Sequence, residues 1–380
     1  MAAQAGAGVA TADAKQASPA PKALVMTGTS LSKTPIVPRI EKLLQDHDAY
    51  TTTFTGMKQH APISNIEEAL ELLRSNQANL IVGIGGGSVI DAAKLVSYFH
   101  NERHGSFIPH IAIPTTLSAA EFTSHAGYTD EEGNKAALSS EGIVARAIIM
   151  DPKISLHTPE KLWLSTGIRA MDHAFETLYR PGAAYPLQQL ALAAIRDLFT
   201  YLPQCMGEEG KKHIEARGKL QIAAWMSLFP NKIETGLGPS HALGHALGAT
   251  YAIPHGYCSV LTLPNTIRMM ARHLGEGNDR SMLANTFSYI PTPYVRDHMH
   301  LSDDFEGEPD VGTILASAAA LDKLVERLGL RTSLSHYKVP KGDLKKIAEK
   351  AYKATVAKPG WKEICPNADE MVSHVLEPVY

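Results

Sequence analysis

Residues 79–94 read NLIVGIGGGSVIDAAK. The run Asn79–Ile84 is short, apolar and partly β-branched, as a strand covered on both faces should be. Glycines follow at Gly83, Gly85, Gly86 and Gly87, then Ser88. From Val89 to Phe99 the apolar residues recur at helical spacing. A strand that turns through glycines into a helix presents free N–H groups to whatever sits in the turn, and the missing side chains let a pyrophosphate approach the backbone. The pattern is neither the usual Rossmann fingerprint nor a Walker A loop, since no Gly-Lys-Ser/Thr follows. A tight turn with no ligand is the other reading, although such a turn needs only one or two glycines. Asp91 and Lys94, one helical turn on, suit either a solvated ion pair or a place in the same site.

The pattern repeats on either side. Lys22–Thr27 and Tyr50–Thr55 read as strands, as do His110–Pro114 and Arg146–Met150. Between them, Thr34-Pro35 offers an N-cap and a proline at the first helical position. Ser64–Glu67 has the form of a capping box, with Ile66, Ala69, Leu70 and Leu73 behind it at helical spacing. Strand–helix alternation predicts a parallel, doubly wound sheet. After Thr158-Pro159-Glu160 the apolar period is helical, over 162–179, 187–201, 218–228, 241–249, 314–328 and 343–356. The expected organisation is a tail over 1–21, an α/β dinucleotide-binding domain over 22–157 and an all-helical catalytic domain over 158–380. The polar stretch Phe287–Asp310 reads as a surface loop or insertion.

Composition narrows the function. The chain has 380 residues, 44% hydrophobic and 20% charged, with a formal net charge of -3. That suits a two-domain globular protein and supplies no basic surface for nucleic acid. No apolar run is long enough to span a membrane. Cys205, Cys258 and Cys365 are widely spaced and form no CxxC pair, which argues against a disulfide framework and fits a reducing compartment. The Ala/Gly/Ser/Pro-rich start lacks both the apolar block of a signal peptide and the arginines of a transit peptide. A disordered tail and a cytoplasmic location are expected.

The chemistry-bearing residues fall later. One segment is Gly167-Ile168-Arg169-Ala170-Met171-Asp172-His173-Ala174-Phe175-Glu176; another runs from His241-Ala242-Leu243-Gly244-His245 to His255. His241 and His245 share one helix face, as do Arg169 and His173. Histidines on two helices and a following loop can converge, and neutral imidazoles are common metal ligands. A zincin is excluded because Ala242, not Glu, follows His241.

At these residues the chain resembles the iron-containing alcohol dehydrogenase superfamily, which has a dehydroquinate-synthase-like fold. Gly85-Gly86-Gly87-Ser88 with Asp91 and Lys94 looks like that family's GGGSxxDxAK pyrophosphate motif. Pro114-Thr115-Thr116, continuing to Glu121-Phe122-Thr123, looks like its nicotinamide-side segment. Thr166–Glu176 and His241–His255 match its two metal-site blocks. The short Thr115–Glu121 segment, His60-Ala61-Pro62 and Thr177-Leu178-Tyr179 resemble the maleylacetate reductase branch. The resemblance implies a metal held by position 169, His173, His241 and His255, with His245 as the catalytic histidine beside the nicotinamide.

Two positions depart from it. The superfamily has Asp at position 169 and maleylacetate reductases have Asn, whereas this chain has Arg169. Arginine is always protonated and offers no lone pair, so the fourfold ligand set is broken. Asp172 is the expected i,i+3 partner of Arg169. The alternative is that Arg169 swings out to Asp172 or Glu176 and leaves a metal pocket of His173, His241 and His255. After the first strand, NAD-preferring members carry an Asp that repels a 2′-phosphate. Gly28, followed by Thr29 and Ser30, stands there, so NADPH is the expected cofactor and NADH an acceptable one. The resulting expectation is an NAD(P)H-dependent reductase of a small carbonyl or activated alkene, such as a keto acid or unsaturated acid. A divalent metal is expected to be absent. Partners would be a small-molecule substrate and a second copy in a homodimer, with neither nucleic acid nor membrane. Three rivals remain: a metal-dependent alcohol dehydrogenase using three histidines, a non-redox lyase or isomerase, and a binding protein that has lost turnover.

Overall fold

The computed structural model describes residues 19–133, 135–229, 235–296 and 308–380. Its strands, in chain order, are β1 (Ala23–Thr27), β2 (Tyr50–Phe54), β3 (Leu80–Gly85), β4 (His110–Pro114), β5 (His125–Thr129), β6 (Lys135–Ser139) and β7 (Ala147–Ile148). Five form a parallel sheet ordered β2-β1-β3-β4-β7, and β5 pairs antiparallel with β6 as a separate hairpin. The interior strand β1 is buried throughout and the central strand β3 nearly so, while the edge strand β2 is half-exposed. That is why β3 reads as a continuous apolar run and β2, with its threonines, does not.

Helices of ten or more residues are α1 (Ile36–Asp46), α2 (Ile63–Ser75), α3 (Gly87–His104), α4 (Glu160–Leu178), α5 (Tyr185–Tyr201), α6 (Ile214–Ser227), α7 (Pro239–Tyr251), α8 (His255–His273), α9 (Pro309–Arg327) and α10 (Leu344–Val356). The first three serve the sheet, and α4 to α10 pack on one another. The fold is therefore an N-terminal α/β part and a helical C-terminal part. The centre of the helical part is α4, buried without a break from Trp163 to Leu178. A helix buried all round must carry small or apolar residues, or polar ones with internal partners. Arg169, Asp172, His173 and Glu176 lie in that buried stretch.

The structure corrects several expectations. Ser64 and Glu67 make no capping box: α2 starts at Ile63 with Pro62 as its N-cap and no side-chain cap. Pro62 has its φ fixed by the ring and is tied in extended form to Thr129, so the helix starts immediately after it and Ser64 falls inside the first turn. The helix after Thr34-Pro35 begins one residue late, at Ile36, with Thr34 Oγ1 still accepting from the Ile36 amide at 3.4 Å. His255 is not on a loop; it opens α8. The hairpin β5–β6 was not expected, because Ala136, Ala137 and the glycines of this stretch carry little strand signal. The predicted 287–310 insertion overlaps residues 297–307, which lie outside the described residues. Its described flanks fold into the helical turns Thr286–Tyr289 and Thr292–Val295 and the start of α9 at Pro309. Residues 1–18 of the predicted tail also lie outside the described residues. Among the described residues no helix is long and apolar enough to cross a membrane.

Candidate active site

The sheet reverses its winding between β1 and β3, since β2 lies on one side of β1 and β3 and β4 on the other. In doubly wound sheets ligands occupy the crevice at the carboxyl ends of the two strands flanking such a point. Two sequence-predicted segments meet this crevice. Gly28, Thr29 and Ser30 follow β1, and Gly85 to Ser88 follow β3. Gly86 is the N-cap of α3 and supplies no side chain, so the first N–H groups of an 18-residue helix are left for another acceptor. The glycines leave little room for side chains. A Cβ on Gly85 would meet Val89 Cγ2 at 2.7 Å, one on Gly86 would meet Thr116 Cγ2 at 3.0 Å, and one on Gly87 would meet Ser118 Oγ at 3.0 Å. Thr115 and Thr116 are buried against this turn, the Thr115 amide donating to Gly85 O at 2.9 Å. They also link it to α4: Thr158 Oγ1 donates to Thr115 O at 2.6 Å, and the Leu117 amide donates to Thr166 Oγ1 at 3.1 Å. On the other strand, Thr29 donates to Thr55 O at 3.1 Å and Ser30 is exposed. No carboxylate stands at 28–30.

Asp91 and Lys94 are not a solvated pair. The Lys94 side chain is fully buried, and Nζ donates to Ala120 O at 2.6 Å, His125 O at 2.8 Å and Thr123 Oγ1 at 3.0 Å. Asp91 Oδ2 accepts from the Gly127 amide at 3.2 Å. The pair pins hairpin β5–β6 and the Glu121 turn onto α3. Burial pushes the Asp91 carboxyl up to about 6, against the pull of Lys94. Glu121, buried without a partner on Oε2 among the described residues, is pushed up to about 7 by the same cause.

The histidines converge. Arg169 and His173 come from α4, His241 and His245 from α7, and His255 from the first residue of α8. Ring centroids are 5.5 Å apart for His173–His241, 4.7 Å for His241–His245 and 5.7 Å for His245–His255. Arg169 points into this group. Its Nη2 donates to His241 Nε2 at 2.9 Å, and its Nη1 lies 3.2 Å from Asp172 Oδ2 and 3.4 Å from Ser259 Oγ. Ser259 in turn donates to Asp172 Oδ2 at 2.6 Å. The expected pair with Asp172 is present, and it holds the guanidinium among the histidines instead of drawing it away. Arginine only donates, so His241 Nε2 must be the accepting nitrogen and its proton must sit on Nδ1.

This charge governs the rings around it. Burial first, and Arg169 second, hold His173, His241 and His255 well below the usual histidine range. His245 is pushed down to about 3 by burial, then by Arg169, Lys358 and Lys135. Solvent reaches His245, which is exposed, but protein surrounds it closely enough to disfavour a charge. All four imidazoles are therefore neutral at pH 7. Burial pushes Asp172 up, opposed chiefly by Arg169.

Three residues take parts that the sequence reading did not give them. Glu176 does not pair with Arg169: its Oε1 and Oε2 accept from the amides of Ser240 at 2.7 Å and Gly238 at 2.8 Å, gripping the start of the helix that carries His241 and His245. Burial and the neighbouring Asp172 push this carboxyl up to about 8. Its place seven residues after Arg169, two turns along one face, was the available signal. Ser259 has no motif to mark it. His60, on the loop after β2, meets His255 edge-to-face with centroids 5.4 Å apart.

The family model for iron-containing alcohol dehydrogenase matches residues 4–152, and the model for the C-terminal part of the Fe-containing family matches residues 163–377. The chain belongs to the iron-containing alcohol dehydrogenase family. Within it, a dehydrogenase of Alternaria alternata is 26% identical over 366 residues, covering 87% of this chain and 92% of that protein. A maleylacetate reductase of Pseudomonas knackmussii is 31% identical over 221 residues, 58% of this chain and 59% of the relative. Among solved structures, an iron-containing alcohol dehydrogenase of Thermotoga maritima superposes with a TM-score of 0.71 at 25% identity, covering 94% of this chain and 92% of that one. The maleylacetate reductase of a Rhizobium species does so at 0.73 and 23%, covering 95% and 90%. The protein is an NAD(P)-dependent oxidoreductase of this family. The Rhizobium likeness supports the dehydroquinate-synthase-like fold alone.

Proposed function

We propose that the protein uses NADPH, and NADH less selectively, to reduce a small anionic carbonyl or activated alkene, a keto acid or unsaturated acid, without a tightly bound metal. The observation that carries this reading is the Arg169 Nη2–His241 Nε2 contact of 2.9 Å. In this family the site would hold iron. Here the donor set does not fit it: position 169 has no lone pair, and the Nε2 lone pair of His241 is already engaged. Among the described residues no three His, Cys, Asp or Glu side chains come together as a ligand set.

The nucleotide fits better. The uncapped start of α3, with glycines where a Cβ would be tightly crowded, suits a pyrophosphate. Bound NADPH supplies the hydride. Arg169, with unused N–H capacity and a fixed orientation, stabilises an oxyanion or enolate as it develops and draws an anionic substrate in. His245 relays the proton. Being neutral, it passes its N–H proton to the substrate while its other nitrogen recovers one from water, for which its exposed position is suited. Glu176 positions His241 and His245 through the start of α7. Oxidation of NADPH at 340 nm with a panel of 2-keto acids, maleylacetate and neutral aldehydes tests the reading. Turnover confined to neutral aldehydes and dependent on added iron would refute it.

A further inference from the structure

The loop that follows β2 carries two adjacent non-glycine residues in the left-handed region, His60 at φ 67° and Ala61 at φ 44°. Such backbone persists only where its surroundings determine it, and it is found preferentially at ligand sites. Here the surroundings are explicit. The His60 amide donates to Ser88 Oγ at 3.0 Å, which ties the loop to the first turn of α3. His60 O accepts from Thr129 Oγ1 at 3.3 Å, and Ala61 O accepts from the Thr129 amide at 3.3 Å. Pro62 is bridged to Thr129 in a parallel sense. The loop is thus fixed between the nucleotide turn and hairpin β5–β6. The result is that the His60 ring stands edge-on to His255, at 85°. Its Nε2 is buried and has no hydrogen-bond partner among the described residues. A buried donor without a partner costs free energy unless something else accepts from it.

The same hairpin brings in a cation. Lys135 is paired directly across from Thr129 in the β5–β6 register, one strand away from the His60 loop. Its charge is felt by Asp91, His60, His245 and His255. Its strand partner Thr129 is the residue that holds the His60 loop, so the hairpin carries Lys135 on the His60 side of the site.

We infer that His60, with Lys135 behind it, forms a second anion-binding wall of the substrate site, facing Arg169 and supplied by the N-terminal part. The ligand it takes is a carboxylate on a substrate that carries two of them. This deepens the reductase reading above and rests on it for the first carboxylate. His60 would bind through its buried, unpartnered Nε2, as an N–H donor to the carboxylate. Lys135 is itself pushed down to about 8 by burial, as befits an ammonium half-withdrawn from water and awaiting an anion. Ser88 is the positioning residue: it sets the His60 loop from the turn where the pyrophosphate would bind.

The test is the affinity of the protein–NADPH complex for maleate, a small dicarboxylate, followed by calorimetry. His60→Ala should weaken maleate by ~10-fold or more, the value of one hydrogen bond to a charged group, and leave NADPH affinity within ~3-fold. His60→Gln, which restores an N–H donor near Nε2, should recover most of the loss. Lys135→Met should weaken maleate more than it weakens acetate. Unchanged maleate affinity in His60→Ala would overturn the inference. So would an equal loss of NADPH affinity, which would make His60 a support of the nucleotide turn. Absence of maleate binding to the unmodified protein would also overturn it. Iron found at the histidines would refute the Arg169 reading, and this one would still be decided by the His60 variants.

Discussion

Replacing Arg169 by Asp should give the histidine group a divalent metal that the proposed role of Arg169 excludes. The magnitude follows from one distance. An ion held by His241 Nε2 would sit ~2.1 Å from that nitrogen. Arg169 Nη2 is 2.9 Å from the same nitrogen, so ion and guanidinium would be ~5 Å apart at most. At an effective dielectric of ~20, a divalent charge and a unit charge at ~5 Å repel by about 7 kcal/mol. Asp172, paired with Arg169 Nη1 at 3.2 Å, offsets part of this repulsion. The unmodified protein is thus left with a charge penalty, besides losing the Nε2 lone pair. Arg169→Asp removes the ~7 kcal/mol repulsion, keeps Asp172 and adds a carboxylate, so a gain of several decades in affinity is expected. The assay is elemental analysis of both proteins purified without chelators, with zinc or iron added back and circular dichroism as the folding control. The variant should bind near-stoichiometrically and lose activity on acidic substrates. Arg169→Lys, which keeps the charge but not the planar fork, should stay metal-poor. Near-stoichiometric iron or zinc in the unmodified protein, or a folded Arg169→Asp variant that binds none, would refute the reasoning.

Other outcomes follow from the same geometry. Steady-state kinetics should show no more than a ~30-fold advantage for NADH over NADPH, ~2 kcal/mol, because no carboxylate stands at Gly28–Ser30. Gly86→Val should abolish nucleotide binding with the far-UV spectrum retained, since even its Cβ would meet Thr116 Cγ2 at 3.0 Å; unchanged NADPH affinity would show that the pyrophosphate sits elsewhere. Glu176→Gln should lower stability by roughly 1–3 kcal/mol by setting an amide N–H against the Gly238 or Ser240 amide, and should reduce kcat by loosening α7; an unchanged Tm would contradict the role given to this side chain. Glu121 titrates in the fold at about 7 against an ordinary value of 4.5. Its raised pKa means that stability is complete below ~4.5 and falls as pH rises towards 7, by roughly 3 kcal/mol in all. Chemical denaturation from pH 4.5 to 8 should show this slope, and Glu121→Gln should flatten it.

Much of the fold was legible because its signals are local. The β3–glycine–α3 unit announces itself within residues 79–94, since a doubly buried strand must be apolar and a turn this tight crowds any Cβ at Gly85–Gly87. The broken ligand set was legible too. Whatever surrounds Arg169, a guanidinium has no lone pair, and its i,i+3 partner Asp172 is dictated by helix geometry alone. Other features depend on where distant segments meet. Lys94 looked free because nothing nearby in sequence indicates that Ala120, Thr123 and His125 wrap around it. The hairpin carries weak strand residues and exists by packing on α3. Glu176 could be seen on the face of α4, but the amides that donate to it open a helix more than sixty positions later. The direction taken by Arg169 was also a tertiary matter. Sequence allowed it to swing out with Asp172 or to enter the histidine group. Ser259, donated by α8, holds Asp172 on the inner side, so the ion pair and the histidine contact are satisfied together. Covalent chemistry determined what each side chain can donate; the packing of α4, α7 and α8 decided to whom.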